Sequence, residues 1–191
     1  MKKSILAALL AVVMAAPAFA IMELDAKVGY IVEPTVVQTG ANEYKCGYSQ
    51  DPSYSIGVDL YVYLIDSIGI GGGLNYIFDS NFDGHLSEDA KLGSANAFVA
   101  VKPILAENGL VDKVYLLGQL GMGLTNYNGD KKDFSETGLY WGAGFGIEKW
   151  SIIVEVLYSV NYWEHSDSEW NSGWSFTNRR LAINAGLKFG L

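Results

Sequence analysis

Cysteine is nearly missing from this 191-residue chain: Cys46 stands alone, so no internal disulfide can form and the single thiol reads as incidental. Basic residues are scarce, with 13 lysines and arginines against 21 acidic residues and a formal net charge of −8. That balance, without a basic cluster, argues against nucleic acid as a partner, because phosphate contacts need Lys and Arg. Charge of either sign is low, at 18% of residues, below the roughly 25% usual for soluble domains. After the first twenty residues no apolar run reaches the length of a membrane helix. A chain poor in charge and without a membrane helix must carry its hydrophobicity in a shorter period.

The one long apolar stretch lies at the start. Met1-Lys2-Lys3 is a positive head, Ile5 to Ala16 is apolar throughout, and Ala18-Phe19-Ala20 has the small-x-small form of a cleavage site. These features in this order predict an export signal over residues 1–20, removed to leave 21–191 as one domain. Ile21 at the expected new terminus offers no cysteine for lipid attachment. Loss of Lys2 and Lys3 leaves 13 − 2 = 11 basic residues against 21 acidic ones, a net charge of −10.

The short period is two. Tyr54, Ile56, Val58, Leu60, Val62 and Leu64 alternate with Ser55, Gly57, Asp59, Tyr61 and Tyr63. The same alternation covers 112–126, 137–148 and 150–164, and no 3.6-residue stripe competes with it. Eight strands are predicted, at roughly 25–37, 53–64, 67–79, 92–104, 112–126, 137–148, 150–164 and 177–191. Pro34 and Pro103 are expected near strand ends, where a missing ladder donor is tolerated. Connections alternate in length: short at 65–66, 105–111 and 149, longer and polar at 38–52, 80–91, 127–136 and 165–176. This alternation, and the even strand number, predict an eight-stranded antiparallel up-and-down transmembrane β-barrel, all-β, with short turns on one side of the membrane and long loops on the other.

Parity alone does not say which face looks outward, since a soluble barrel turns its apolar face inward. Here the second face is rich in Gly, Ser, Ala, Asn and Gln, a poor soluble exterior but a good filling for a narrow lumen. The apolar face is therefore expected to meet hydrocarbon, with Trp141, Trp150 and Trp163 at the interfaces.

Two segments carry a family resemblance: the glycine–aromatic strand Gly138-Leu139-Tyr140-Trp141-Gly142-Ala143-Gly144-Phe145-Gly146, and the last strand from Leu181 to Leu191, with Phe189 two residues before its end. In this style the chain resembles the small outer-membrane β-barrel superfamily of the OmpA membrane domain, OmpX-like and opacity proteins. The resemblance implies a bacterial outer-membrane location after export. It also implies contact with membrane lipids and lipopolysaccharide, reading of the last strand by the barrel-assembly machinery, and an extracellular partner for the loops. No OmpA-type peptidoglycan-binding domain is expected after the last strand.

Lys27, Asp59, Glu148, Glu155 and Lys188 share the inward parity, as does Gln119. An eight-stranded barrel is just wide enough for side chains to fill, so opposite charges there are expected to pair and plug the lumen; a gated ion path is the alternative. Gly142-x-Gly144-x-Gly146 lies within a strand, not at a strand-to-helix turn, and reads as small lumen residues rather than a phosphate loop. Glu164, His165, Ser166, Asp167 and Ser168 raise the possibility of acyl-transfer chemistry. Their spacing departs from the lipid A deacylase pattern, in which His and Ser are separated by one residue and followed by Asn. Asp79, Asp83, His85, Glu88 and Asp89 make an acidic loop that matches no EF-hand or zinc spacing. Trp163 and Phe176 are expected as interface anchors, and Trp170 and Trp174, farther out, as a surface-loop contact patch. No catalytic, metal or cofactor set is expected. The sequence reading is a structural or surface-interaction protein with a plugged lumen, with a narrow porin-like channel or carrier and a lipid A-modifying enzyme as alternatives.

Overall fold

The computed structural model describes residues 21–39, 45–84, 87–107, 109–129, 133–167 and 172–190. Nine strands, β1 (Ile21–Thr39), β2 (Lys45–Ser49), β3 (Ser53–Ile65), β4 (Ile68–Gly84), β5 (Ser87–Ala106), β6 (Lys113–Asn128), β7 (Asp133–Lys149), β8 (Ile152–Asp167) and β9 (Ser172–Gly190), follow one another around a single antiparallel sheet. The sheet closes where β1 pairs with β9, from Glu23↔Gly190 to Thr39↔Ser175. β2 and β3 both pair with β1, one above the other, so together they make one wall strand, interrupted at Gln50-Asp51-Pro52. The wall is thus an eight-stranded up-and-down barrel, and closure leaves no backbone edge to hydrocarbon along the span.

The alternation sets the faces. Tyr54, Ile56 and Val58 on β3, Leu116, Leu120 and Met122 on β6, and Leu139, Phe145 and Ile147 on β7 are exposed. Ser55 and Asp59, Tyr115, Leu117 and Gln119, and Tyr140 and Glu148, between them in sequence, are buried. On β8 the outward residues run from Ile152 to Tyr162. Ten steps of about 3.3 Å give about 33 Å along the strand, or about 25 Å of height at a tilt of about 40°, the apolar band of an outer-membrane barrel. Tyr30, Tyr54, Tyr76 and Phe78 stand together on the outer surface toward the long-loop end, with ring centroids 5.6 Å apart for Tyr30–Tyr54 and 5.1 Å for Tyr76–Phe78. Such a group suits the membrane–water interface, where an aromatic body is half wet.

Three features differ from the sequence expectation. The wall continues through much of the predicted long loops: β4 and β5 pair as far as Gly84↔Ser87, β6 and β7 to Asn128↔Asp133, and β8 and β9 to Asp167↔Ser172. Above the membrane the outer face meets water rather than hydrocarbon, so a strand there needs no apolar outer positions and leaves a weak periodic trace. Pro34 lies inside β1, not near its end; it sits where the β1–β9 register slips between Val32 and Thr35, and its carbonyl accepts the Gln50 N–H at 3.0 Å. A bulge absorbs the missing proline donor there. Trp163 and Phe176 are not interface anchors: both are buried inside the barrel, stacked with centroids 5.4 Å apart and planes 8° from parallel. Trp163 follows Glu155, Leu157, Ser159 and Asn161 on the inward parity of β8. Trp141 and Trp150 do face outward, 38% and 74% exposed.

Candidate functional site

Period two brings inward residues from every wall strand onto one axis, and they stack in layers. At the short-turn end the layer is ionic. Lys27 bonds Asp59 and, at 2.9 Å, Glu155. Tyr61 donates to Asp59 at 3.1 Å and Tyr115 to Glu155 at 2.8 Å. Beside this set, the fully buried Lys102 meets Glu23 at 2.6 Å, Asp25 at 3.1 Å and Glu148 at 2.5 Å. Its ammonium also lies over the rings of Tyr115 and Tyr61, 4.3 and 4.9 Å from their centroids. Lys188 bonds Glu148 at 2.7 Å, and Lys113 approaches Glu23 at 3.5 Å.

The next layer is mainly aromatic and aliphatic: Tyr61, Tyr63, Phe98, Ala100, Leu117, Tyr140 and Leu157. Tyr140 donates to Gln119 at 2.6 Å. A cavity of about 20 Å³ bounded by Lys27, Asp59, Gln119 and Asn184 lies among these residues, room for about one water molecule. Above it Asn161 donates to Asn96 and Asn96 to Asn75, each at 2.9 Å. Arg180 donates to Ser94 at 3.0 Å, while its Nε and Nη2 have no hydrogen-bond partner among the described residues. The long-loop end is capped by an apolar layer of Val36, Ala90, Leu92, Tyr127, Trp163 and Phe176.

All six lumen residues expected from sequence lie inside the barrel. Lys27, Asp59 and Glu155 form one cluster, Glu148 and Lys188 belong to the other, and Gln119 sits a layer higher. Sequence reasoning missed Glu23, Asp25, Lys102, Lys113 and Arg180. Parity signalled most of them, since Glu23 and Asp25 precede Lys27 on the same face of β1 and Arg180 shares that of Lys188 on β9. Lys102 sits beside Pro103 on β5, where the alternation is weakest. With them the lumen holds five carboxylates (Glu23, Asp25, Asp59, Glu148, Glu155) and five cations (Lys27, Lys102, Lys113, Lys188, Arg180) among the described residues, and its charge balances.

The glycines of β7 have steric roles. A side chain at Gly146 would run into the Tyr115 ring, and one at Gly142 would press on Gln119 and Tyr140; both positions are left small so that lumen side chains from β6 and β7 can cross the axis. The side chains of His165, Ser166, Asp167 and Trp174, and all of Ser168 and Trp170, lie outside the described residues, as do the side chains of Asp83, Glu88 and Asp89 and all of His85. The backbone of β8 and β9 pairs His165 with Trp174. Among the described residues no group of His, Cys, Asp and Glu is arranged to hold a metal ion.

A closed eight-stranded wall, apolar outside, with its lumen filled by ion pairs, amide networks and buried aromatic and aliphatic side chains, defines the class: a small transmembrane β-barrel. The outer membrane protein beta-barrel domain family matches residues 5–189, and the chain belongs to it; it is a bacterial outer-membrane protein. Solved structures share the fold at low identity. Neisserial surface protein A is 14% identical with a TM-score of 0.52, covering 88% of this chain and 97% of its own. Ail, the attachment invasion locus protein of Yersinia pestis, is 14% identical with a TM-score of 0.50, covering 87% and 98%. The outer membrane protein AlkL is 10% identical with a TM-score of 0.50, covering 87% and 90%. No curated protein sequence matches the chain.

Proposed function

We propose that this barrel is a structural or surface-interaction protein of the outer membrane, closed to bulk solutes, with its long-loop end outward. The observation that carries this reading is the filled lumen. Among the described residues, the cavity bounded by Lys27, Asp59, Gln119 and Asn184 holds about 20 Å³, and it lies between an ion-paired layer and an apolar cap. A solute-sized path requires both to open, and opening the lower one strips buried charges of their partners, which is strongly unfavourable. Function then belongs to the outer wall and the long-loop end, while the plug serves as a rigid core. The test is swelling of liposomes containing the folded barrel in isotonic sugar. Swelling no faster than in protein-free liposomes is expected; uptake that rises with protein content supports the narrow channel or carrier instead. Lipid A from cells expressing the protein is expected to keep its mass, and a mass change lost in His165→Ala would move the protein to the enzymes.

A further inference from the structure

Among the described residues, Arg180 is the lumen cation that makes no ion pair; Lys27, Lys102, Lys113 and Lys188 each hold a carboxylate. Arg180 is 2% exposed. It pairs with Ser159 on β8 and faces the slip in β1 between Val32 and Thr35. Its Nη1 donates to Ser94 at 3.0 Å, while Nε and Nη2 meet no acceptor. Those two atoms flank a single edge of the planar guanidinium, so their N–H bonds run parallel, the fork with which arginine grips an anion. The lumen carboxylates are held by lysines nearer the short-turn end. Glu155 marks the separation: it pairs with Asn184, four residues along β9 from Arg180, about 13 Å. Equal numbers of opposite charges in the lumen therefore leave this one without a local partner.

The inward groups around Arg180 are neutral. Asn178, two residues above it on β9, donates to Gln50 at 3.1 Å, and Asn161 on β8 donates to Asn96 at 2.9 Å. Ala182, two residues below, clusters with Ile31 and Ile77, and Trp163 and Phe176 close the lumen above. Water satisfies free donors but not a charge, and a cation shut away from bulk water without a counterion is strongly unfavourable. We propose that the free edge of Arg180 binds one small monovalent anion of the chloride class, taken up as the barrel folds. Nε and Nη2 donate to it in parallel, and it does for Arg180 what Asp59 and Glu155 do for Lys27. The filled lumen favours a halide over larger anions. The stability of the closed barrel then depends on halide, a property its structural role alone does not require.

The experiment refolds the protein from urea into phosphatidylcholine vesicles in sodium gluconate, chloride or bromide at equal ionic strength, gluconate being too large for the lumen. Chloride and bromide are expected to raise the wild-type urea midpoint over gluconate and to saturate. The rise is about 0.5 M once the halide stands at roughly ten times its dissociation constant. Arg180→Met, shown to be folded by heat-dependent gel migration, should give no rise. Crystals of wild-type protein refolded in bromide should show one anomalous bromide peak beside Nε and Nη2, a readout that needs no variant. An equal rise in Arg180→Met, or no peak at that edge, overturns the proposal. So does a wild type indifferent to halide that becomes responsive in Glu33→Gln. Glu33 stands in the β1 slip, its side chain outside the described residues, and that result would make it the counterion.

Discussion

Lys27 offers the sharpest energetic test of the lumen. Its ammonium holds two carboxylates, Asp59 and Glu155, and the side chains are 7%, 1% and 1% exposed. Lys27→Met keeps a similar volume and removes the cation, leaving two carboxylates facing each other away from water. Breaking a buried pair from one side costs about 3–5 kcal/mol, because a charge stays behind unpaired. With a urea m-value of about 3 kcal/mol/M, the unfolding midpoint falls by about 1 to 1.7 M. The triple variant Lys27→Met, Asp59→Asn, Glu155→Gln leaves no charge behind and should recover most of the loss, since replacing a buried ion pair by neutral groups is often near neutral. The assay is urea unfolding in lipid vesicles, followed by tryptophan fluorescence and by the heat-dependent gel shift. A loss below about 1 kcal/mol for Lys27→Met, the range of exposed pairs, would refute the argument by showing that water reaches these groups.

Further predictions follow the layers. In halide-free buffer Arg180→Met should cost less than about 1 kcal/mol or stabilise the barrel, because the guanidinium has one bond, to Ser94, and two donors without partners among the described residues. Lys102→Met, by contrast, should be among the most damaging lumen changes, read by the same urea midpoint. Trp163→Ala should destabilise by about 3 kcal/mol or more through loss of the buried stack with Phe176, while Trp141→Ala, on the outer face, should cost clearly less. Gly121→Ala puts a methyl against the β5 backbone at Ala97 and Phe98 and should cost about 1–3 kcal/mol. Gly118→Ala meets nothing within 4 Å and should stay within about 0.5 kcal/mol.

The membrane span was legible because one physical demand, hydrocarbon outside and a packed lumen inside, forces strict alternation along Tyr54–Leu64, Val114–Leu124 or Leu139–Glu148. Where that demand ends, so does the signal. Phe82–Gly84 with Ser87–Ala90, and Thr125–Asn128 with Asp133–Glu136, continue the wall by backbone pairing, which any sequence can supply. The interruption at Gln50–Pro52 depends on the β1 bulge at Pro34, a long-range match no local pattern encodes. Within the lumen, parity put Lys27, Asp59, Glu148, Glu155 and Lys188 on one face but could not name their partners, because strand stagger decides which inward residues share a level. Trp163 shows residue type overriding position: its parity pointed inward, while its chemistry suggested an interface.

Single-channel recording in planar bilayers tests most directly whether the folded barrel is closed. Purified, heat-modifiable protein is expected to insert without steady conductance across moderate voltages and salt concentrations. A stable ohmic conductance, altered by Glu155→Gln or Lys27→Met, would contradict the account and make the ion-paired layer the lining of a pore.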